Sequence, residues 1–455
     1  MKNKTDKVVE VLVKQFDVLR GPINPSISFN LIAAAFFVRV SGLEAYKDHI
    51  VLEEDAWVKI AQADNPVKAL SKVLEKIEKD NNQFKHLNYL VEDALRSKSK
   101  FDAEFKKVCQ NLDSIDLSGV NLSSVIEVFS ATFFGLQGKR GGAESVTPLD
   151  IKHLVESLLS KDSYESAYDP CIGTGTFLTI GPDKIKSIYA NEINLSTYAL
   201  SGIFHFIAGN FDFNLEDKNS LVHPFVEGNS LKKFDLVISF PPFGMRLRPE
   251  ELKSYKNDEW NRFHYGVSND TSWLFVEHIL SVLEDKGEAF VALPFGALFS
   301  TGFNREIRKG LVDAGVIDTV IQLPDRMFYN TAIPVALVVL KKDRPKNEPI
   351  YFIKATDLGK IHKAKRYLDN EDVDQIVKAY KSADEIDGFA RLVNINEVLN
   401  EDYNLMPNRY IWSGDDNEEV NINDIVNALE ESSNVAFESR NLIGELLGDY
   451  GVKLS

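Results

Sequence analysis

Cysteine and long apolar runs are the features that this sequence has least of. The chain has 455 residues and two cysteines, Cys109 and Cys171, too few for a disulfide framework or a structural zinc site and typical of a reducing compartment. The early apolar run from Leu31 to Val38 is far shorter than the roughly 20 residues that cross a bilayer. The charged first residues do not resemble a signal peptide. The sequence therefore predicts a cytoplasmic protein that does not span a membrane.

Positive charge is also scarce. The chain has 52 Lys and Arg against 68 Asp and Glu, a formal net charge of -16. This balance excludes a protein that holds nucleic acid over its whole surface, since phosphate contacts need clustered Lys and Arg. A local basic groove and a basic partner subunit both stay open. The densest basic run could touch DNA phosphates, although a solvated face is the more ordinary interpretation. It comprises Lys360, His362, Lys363, Lys365 and Arg366.

The first part of the chain, residues 1–138, has a helical pattern. Apolar residues recur at steps of three and four positions, as in Val9, Leu12, Val13 and Phe16. This spacing places them on one face of a helix. We therefore predict a separate N-terminal helical domain, because a chain of this length exceeds one ordinary core.

The last part of the chain, residues 401–455, turns acidic and then helical, from Asp424 to about Leu447. Leu429, Leu442 and other apolar residues form a stripe along the predicted helix. A helix of this kind either packs on its own domain or docks another subunit, and the sequence favours neither interpretation.

The middle of the chain, residues 139–400, has an α/β pattern. Near-continuous apolar strands separated by helices predict a parallel sheet covered on both faces. The last two predicted strands are separated by a Pro-containing loop and could form an antiparallel pair at the end of the sheet. The predicted strands are Ser166 to Tyr168, Lys186 to Ala190, Phe234 to Ser239, Ala289 to Leu293, Val316 to Gln322 and Val335 to Leu340.

A glycine-rich loop follows the first predicted strand and leads toward a predicted helix. Gly173 and Gly175 permit a sharp turn and close approach of a ligand. Glu192 ends the next strand, about 20 residues on, where an acidic side chain can accept hydrogen bonds from ribose hydroxyls. Asp169 opens the loop and offers a carboxylate to a cationic cofactor. Because Leu178 replaces the third glycine of a dinucleotide motif, we favour S-adenosylmethionine over a nicotinamide cofactor.

Several segments carry a specific resemblance to one family. The loop Asp169–Phe177, the run Pro-Pro-Phe-Gly at 241–244 and the segment Asp270–Lys342 resemble the modification (M) subunits of type I restriction-modification systems, which are N6-adenine DNA methyltransferases. Phe16–Gly21 and Tyr403–Tyr410 extend the resemblance over most of the chain. It implies a Rossmann-like class I S-adenosylmethionine-dependent methyltransferase domain with an N-terminal helical domain and a C-terminal helical tail.

The resemblance also implies partners and cofactor-binding residues. The partners would be DNA, a specificity subunit that reads the sequence, and a restriction subunit. Asn219 stands where the family usually has an Asp near the cofactor adenine, and an Asn can still pair with an adenine edge. No spacing of His, Cys or acidic residues indicates a metal site. The implied cofactor-binding residues are Thr147, Pro148, Asp169, Gly173, Gly175, Glu192 and Asn219.

The base-handling loop departs from the family at its first position. Family loops begin with Asn, Asp or Ser, whose side chain accepts a hydrogen bond from the adenine amino group. Here the catalytic-motif positions are Phe240, Pro241, Pro242 and Phe243. Phe243 can stack on a base, whereas Phe240 has no acceptor. Ser239 should point to the opposite face of its strand, so we do not expect it to replace the missing acceptor.

A second phenylalanine follows the same trend. Phe295 stands in Leu-Pro-Phe-Gly, where the family commonly has Asn. It either lies near the same pocket and makes that pocket apolar, or the Phe240 and Phe295 rings merely fill the core.

Two functional hypotheses follow. In the first, the chain is an M-like subunit that methylates adenine in DNA together with a specificity subunit. In the second, it is a catalytically silent relative that keeps the fold and serves as a cofactor-binding, DNA-binding or assembly component. Phe240 and Phe295 favour the second hypothesis, and the glycine loop with Glu192 favours cofactor binding in both. Methylation of a protein glutamine or of RNA uses a similar Pro-Pro-aromatic loop, but the match from Asp270 to Pro334 speaks against it.

Overall fold

The computed structural model describes the chain in six stretches, which are residues 4–97, 100–137, 147–180, 183–328, 333–362 and 365–412. Residues up to Ile411 form one compact unit, and a second unit begins at Trp412. The predicted tail helix from Asp424 to Leu447 lies outside the described residues. Within the described part of the chain, every helix is too short or too polar to cross a membrane.

The N-terminal region is helical, as predicted. Asn24 and Asn65 cap two of its helices by accepting hydrogen bonds from the amides of Ser26 and Lys68, and a proline follows each cap at the first helical position, where its missing N–H costs nothing. The helices are α1 (Lys4–Leu19), α2 (Pro25–Ser41), α3 (Ala56–Gln62), α4 (Pro66–Asp80), α5 (Glu92–Arg96), α6 (Asp102–Asp113) and α7 (Leu122–Gln137).

The rest of the compact unit is an α/β domain. Its strands are β1 (Tyr164–Asp169), β2 (Ile185–Asn191), β3 (Phe213–Glu216), β4 (Val226–Glu227), β5 (Ser230–Leu231), β6 (Phe234–Ser239), β7 (Leu283–Pro294), β8 (Ile317–Gln322), β9 (Val335–Lys341), β10 (Ile350–Lys354), β11 (Lys360–His362), β12 (Lys365–Tyr367) and β13 (Ala390–Val393). Its helices are α8 (Leu149–Leu158), α9 (Leu195–Ile207), α10 (Pro249–Lys256), α11 (Ser272–Val282), α12 (Phe295–Phe299), α13 (Phe303–Ala314), α14 (Asn370–Ser382) and α15 (Ile395–Asn400).

The main sheet has 9 strands in the order β13-β10-β8-β9-β7-β6-β1-β2-β3. Five consecutive strands of this order, β7, β6, β1, β2 and β3, pair with one another in parallel, whereas β7 pairs antiparallel with β9 on its other side. The predicted antiparallel pairing of β8 with β9 is confirmed. Its predicted position was wrong, because β10 and β13 continue the sheet beyond β8. These two strands are short, and their apolar pattern does not separate them from the helices around them.

Both faces of the sheet are covered, as expected for a parallel sheet. Every residue of β6 is buried, and its side chains alternate between two apolar cores. Leu236 and Ile238 pack in the core on one face, and Val237 between them packs in the core on the other. Phe234 also packs on the Val237 side, because the pairing with β7 shifts register between Phe234 and Leu236.

The helical region shares a core with the sheet domain through α9. Phe204 of α9 packs edge-on against Phe29 of α2 with ring centroids 6.0 Å apart, and Ile203 and Ile207 belong to the same apolar cluster. The Tyr46 hydroxyl donates to the Ile207 carbonyl over 2.6 Å. The helical region and the sheet domain therefore form a single packed unit.

The crossover from β1 to β2 differs from the prediction. The glycine loop leads into a short 3₁₀ turn, Thr176–Leu178, where the sequence suggested a helix. Pro182 follows closely in the sequence, and proline disfavours helix both at its own position and at the residue before it. The glycine loop is therefore held by contacts with neighbouring loops rather than by a helix that follows it.

Residues 401–411 pack against the sheet, although the sequence assigned them to the tail. Leu405 and Tyr410 are buried in the core that covers one face of the sheet. The Leu405 amide donates to the Leu298 carbonyl over 3.0 Å. The packed unit therefore extends to Ile411.

The aromatic cluster around Phe29 generates a stability prediction. The Phe29 ring is 1% exposed and stacks on Phe133 at 4.1 Å and on Phe129 at 5.1 Å. We expect Phe29→Ala to lower the free energy of unfolding by about 3–5 kcal/mol, because it removes a buried ring and leaves a cavity. The matched control is Phe303→Ala, at a ring that is 61% exposed. Urea unfolding midpoints check this, and equal shifts for the two variants would contradict the assigned core.

Candidate active site

Three loops that are distant in sequence meet at one edge of the sheet. β1 ends at Asp169, β2 at Asn191 and β6 at Ser239. β1 pairs in parallel with both β2 and β6, so the carboxyl ends of the three strands lie side by side. Ligands of open α/β sheets bind at this edge. The glycine loop, Glu192 and the base-handling loop are therefore brought together, as the sequence predicted.

The glycine loop folds back onto the end of β2. Gly173 and Gly175 have φ of 57° and 88°, a region that residues with a Cβ enter only at a cost. The Ile172 amide donates to the Asn191 carbonyl over 3.1 Å. A Cβ at Gly173 would meet no protein atom within 4 Å, so this glycine leaves open space at the loop.

Gly175 is required for a different reason, which is close packing. A Cβ at this position would lie 2.6 Å from Nε2 of His205 and 3.0 Å from Oγ of Ser201. The His205 ring cannot easily retreat, because it is buried, stacked on Phe213 with centroids 4.3 Å apart and within 3.3 Å of the Asn210 amide. Burial lowers the pKa of His205 to about 3, so the ring is neutral.

Glu192 is buried, being 8% exposed, and it lies where β2 ends. Its carboxylate accepts hydrogen bonds from the Gly173 amide at 3.0 Å and from the Asn194 amide at 2.8 Å. These two bonds hold the carboxylate in place and tie the glycine loop to the start of α9.

A cavity of about 160 Å³ lies among these loops. Of the predicted cofactor-binding residues, Gly173, Glu192 and Asn219 line it, and Phe240 and Pro242 of the base-handling loop line it as well. The sequence did not single out the other residues of its wall. They are Pro170, Cys171, Asn191, Ile193, Lys218, Ser220, Met245 and Phe275.

Four predicted cofactor-binding residues do not line this cavity. Thr147 and Pro148 are buried at the start of α8, and Gly175 packs against α9. Asp169 lies behind the wall, 2% exposed. Asp169 and Gly175 thus shape the cavity from behind.

Asp169 and Ser239 are joined at the base of the cavity. The Asp169 carboxylate accepts hydrogen bonds from the Cys171 amide and from the Ser239 hydroxyl, each over 2.9 Å. Ser239 is fully buried. Its hydroxyl donates to Asp169, and Ser239 does not line the cavity, so it is not placed to accept a hydrogen bond from a ligand there.

Burial also changes the ionisation of Asp169. The pKa of Asp169 is raised to about 7, mainly by desolvation; the hydrogen bonds from Cys171 and Ser239 oppose this shift, and the nearby Glu192 carboxylate adds a smaller increase. The carboxyl group is thus poised near neutral pH, where a positive charge in the cavity would favour its ionised form.

Phe240 is held in an aromatic cluster formed by Phe177, Phe240, Phe243 and Phe328. Its ring is 8% exposed and lies 4.6 Å from the Phe177 ring and 5.4 Å from the Phe328 ring, centroid to centroid. It belongs to the apolar core on one face of the sheet and also forms part of the cavity wall. Phe240 therefore presents only apolar surface to the cavity.

Phe243 occupies a more open position in the same cluster. Its ring is half-buried and lies edge-on to Phe328, with centroids 6.2 Å apart. Pro242 before it is exposed, whereas Pro241 is buried. A half-open ring beside the cavity is suited to stacking on a planar base.

Phe328 was not assigned a role from the sequence, although it lies in the segment that carries the resemblance. It is 2% exposed and contacts both Phe240 and Phe243. The basic run forms the hairpin β11–β12, which supports this segment: Lys365 donates to the Phe328 carbonyl, and the Arg366 amide donates to the Arg326 carbonyl over 3.1 Å.

The remaining basic residues of that run have mixed surroundings. Lys360 pairs with Asp369 at 2.5 Å, and Arg366 donates to the carbonyls of Thr356 and Leu358. Lys363 lies outside the described residues. His362 is exposed. Much of this basic charge therefore serves internal contacts.

Asn219 turns the loop that forms the far wall of the cavity. Its side-chain oxygen accepts a hydrogen bond from the Leu221 amide over 3.0 Å. An Asn can make this turn as readily as an Asp. The departure at this position therefore preserves the loop.

Phe295 lies apart from the cavity. Its ring packs against the core on the other face of the sheet, and its amide donates to the Pro334 carbonyl over 3.1 Å. Of the two interpretations of this residue, the structure favours core filling. The apolar change at the cavity is therefore due to Phe240.

The described residues contain no group of three His, Cys, Asp or Glu side chains arranged to hold a metal ion. Cys109 and Cys171 are free thiols. Burial raises the pKa of Cys109 to about 12 and that of Cys171 well above its usual value.

The fold and the site together define a class I methyltransferase. The chain also matches the sequence model of the N-6 DNA Methylase family over residues 119–419, and it belongs to that family. Its members depend on S-adenosylmethionine. The family resemblance seen in the sequence is thereby confirmed.

Two curated relatives illustrate the sequence similarity. The methylase subunit of the type I restriction enzyme MpnII from Mycoplasma pneumoniae is 27% identical over 375 residues, which cover 77% of this chain and 68% of the relative. The methylase subunit of the type I restriction enzyme HindI from Haemophilus influenzae is 27% identical over 379 residues, covering 76% of this chain and 83% of the relative.

Solved structures show the same fold. A type I restriction-modification system methyltransferase subunit from Streptococcus thermophilus superposes with a TM-score of 0.77 at 21% identity, covering 90% of this chain and 100% of that one. A chain from a study of the assembly of a type I restriction-modification system has a TM-score of 0.70 at 18% identity, covering 98% and 99%.

The two loop glycines generate a stability prediction. Gly173→Ala should cost about 1–2 kcal/mol, because the left-handed backbone alone is strained. Gly175→Ala should cost clearly more, because its Cβ would also overlap His205 and Ser201. Urea unfolding midpoints of the two variants test this order. Equal midpoints would show that the packing of α9 against Gly175 is not as described.

Proposed function

We propose that this chain is an M-like subunit of a type I restriction-modification system in which the cofactor pocket is intact and the adenine-methylating step is impaired. The observation that supports this most is the position of the Phe240 ring, which lines the cavity and packs against the rings of Phe177 and Phe328. Family membership supplies the reaction class, N-6 methylation of DNA.

The cavity residues fit S-adenosylmethionine. Glu192, held by two backbone amides, presents a carboxylate suited to ribose hydroxyls. The space left by Gly173 allows close approach of the ligand to the backbone. Ile193 and Phe275 line the wall with apolar surface suited to a planar adenine. The cofactor, when bound, supplies an electrophilic methyl group.

The base-handling loop fits a flipped adenine in part. An enzyme that methylates adenine N6 must take the base out of the helical stack, and the half-open Phe243 ring can stack on it. Phe240 offers no acceptor to the amino group. Loss of one preorganised polar group of this kind lowers turnover by about 10² to 10³.

The proposed partners are DNA, a specificity subunit and a restriction subunit. The relatives are methylase subunits of type I restriction enzymes, and one structural match comes from work on the assembly of such a system. The formal charge of -16 suits a division of labour in which the partner supplies much of the DNA-binding surface.

A catalytically silent role is the second candidate. It is favoured by the placement of Ser239, which is fully buried and does not line the cavity, since the hydroxyl next to Phe240 in the sequence is then out of reach of a base. In this role the chain would bind cofactor and DNA and support assembly without transferring a methyl group.

Restoring the family residue tests the proposal. We expect Phe240→Asn to raise the rate of methyl transfer to DNA by about 10², measured with labelled S-adenosylmethionine on the chain assembled with its specificity subunit. Phe240→Leu is the matched control, because it also removes the aromatic ring but adds no acceptor, and its rate should stay at that of the natural protein. A natural protein as active as the Asn variant would refute the proposed defect.

The pKa of Asp169 gives a second test. At about 7, its carboxyl is mostly protonated below neutral pH and ionised above it. The sulfonium cation of S-adenosylmethionine favours the ionised carboxylate, whereas the uncharged thioether of S-adenosylhomocysteine does not. Below neutral pH, binding of S-adenosylmethionine must therefore release the Asp169 proton, which weakens its affinity. The affinity ratio of S-adenosylmethionine to S-adenosylhomocysteine should therefore rise by up to roughly tenfold from about pH 6 to about pH 8.

Isothermal titration calorimetry at several pH values measures this ratio. Asp169→Asn keeps the shape of the side chain and removes its ionisation, so the ratio should become independent of pH. A flat ratio in the natural protein would show that Asp169 does not sense the charge of the cofactor.

A further inference from the structure

A buried chain of hydrogen bonds, the relay, runs from Arg262 through His278 and Tyr168 to Asn191. Arg262 Nη1 lies 3.1 Å from His278 Nδ1, and His278 Nε2 lies 3.0 Å from the Tyr168 hydroxyl. That hydroxyl lies 2.8 Å from Asn191 Oδ1. All four residues are at most 2% exposed, and Asn191 forms part of the cavity wall.

Arg262 fixes the relay at its far end. It pairs with Asp258 at 2.6 Å and donates to the carbonyls of Ser220 at 3.2 Å and Leu221 at 2.8 Å. A guanidinium can only donate hydrogen bonds. The relay therefore begins with a permanent donor whose position is held by several partners.

The direction of each following bond is then determined. His278 Nδ1 faces Arg262 and must accept, so a neutral ring carries its proton on Nε2 and donates it to the Tyr168 oxygen. Tyr168 must then donate its own proton to Asn191 Oδ1. Burial, aided by the Arg262 charge, lowers the pKa of His278 well below its usual value, and burial raises that of Tyr168 well above its own. Both groups are neutral at physiological pH.

The last amide in the relay is left with an unused donor. Asn191 Oδ1 accepts from Tyr168, which fixes the orientation of the amide, and Asn191 Nδ2 has no hydrogen-bond partner within the described part of the chain. Asn191 is 1% exposed. A buried N–H group without a partner is unfavourable, so an acceptor in the cavity would satisfy it.

We propose that Asn191 Nδ2 donates a hydrogen bond to an acceptor atom on the adenosine half of the cofactor, and that Tyr168, His278 and Arg262 are positioning residues that hold this amide in one orientation at the cavity wall. The inference rests on the proposed cofactor site. The adenosine half is indicated because Asn191 directly precedes Glu192, whose carboxylate is suited to the ribose, and because the relay passes Ser220 beside Asn219 on the same wall.

A binding experiment tests this assignment. S-adenosylhomocysteine is the probe, since it carries the adenosine half without the reactive methyl group, and isothermal titration calorimetry gives its dissociation constant. We expect Asn191→Leu, which has nearly the same volume and no donor, to weaken binding by roughly tenfold, the effect of one hydrogen bond. Tyr168→Phe should weaken binding by a smaller factor, because the amide remains but its orientation is no longer fixed.

The double variant separates a positioning role from a merely structural one. If Tyr168 acts through Asn191, Tyr168→Phe should cause no further loss of affinity in the Asn191→Leu background, although both changes lower the urea midpoint. Independent losses would overturn the positioning role. The matched control is Asn304→Leu, at another buried asparagine with an unpartnered oxygen, which should lower stability and leave the dissociation constant unchanged.

The outcomes also distinguish this inference from the function on which it rests. If the natural protein binds no S-adenosylhomocysteine, the proposed cofactor site fails. If the natural protein and a folded Asn191→Leu variant bind equally well, the cofactor site stands and the donor role of Asn191 is refuted. Should the Leu variant fail to fold, Asn191→Ser, which leaves a smaller side chain unable to span the same distance, replaces it with the same expected direction.

Discussion

Parallel pairing of β1 with β2 and β6 is the constraint on which the site depends. It brings Asp169, Asn191 and Ser239 to one edge of the sheet, where short polar contacts can join their loops. The Ser239 hydroxyl then reaches Asp169, and the Glu192 carboxylate, one residue beyond β2, reaches the Gly173 amide. Because β6 is buried along its whole length, its end cannot move without disturbing the apolar cores on both faces of the sheet. The cavity is thus a consequence of the sheet, shaped by loops that the sheet holds in register.

The two sides of the cavity differ in chemistry. The cofactor side keeps its polar groups: the Glu192 carboxylate is held by two amides, and the Asn191 amide is oriented through Tyr168. The other side, which carries the proposed base-handling loop, is apolar, since Phe240 packs into the aromatic cluster. A buried polar network is expensive unless its members are satisfied. The polar groups around Glu192 and Asn191 lie beside an apolar base-handling loop. This contrast is the physical basis for proposing that the chain binds the cofactor but transfers its methyl group poorly.

The sequence predicted much of this arrangement, and its failures have identifiable causes. The strand β6 and the glycine loop were found because apolar runs and glycines are local signals. The β1–β2 crossover was predicted to contain a helix, but the structure has a 3₁₀ turn at Thr176–Leu178. The relay from Arg262 to Asn191 had no sequence signature, because its members come from separate elements and are joined only by tertiary packing. Phe295 was grouped with Phe240 by motif similarity, yet it packs on the opposite face of the sheet, which one-dimensional spacing does not reveal.

We propose, as the central point, that the cavity binds the cofactor but offers no hydrogen-bond acceptor to the adenine amino group. The most direct test measures two quantities on the same preparation, the dissociation constant for S-adenosylmethionine and the single-turnover rate of methyl transfer to DNA. The HindI methylase subunit, a relative of 27% identity, serves as the reference, each protein being assembled with its own specificity subunit. We expect this chain to bind the cofactor with comparable affinity and to transfer the methyl group at a rate lower by at least about 10². Comparable rates for the two proteins, or no measurable cofactor binding by this chain, would contradict it.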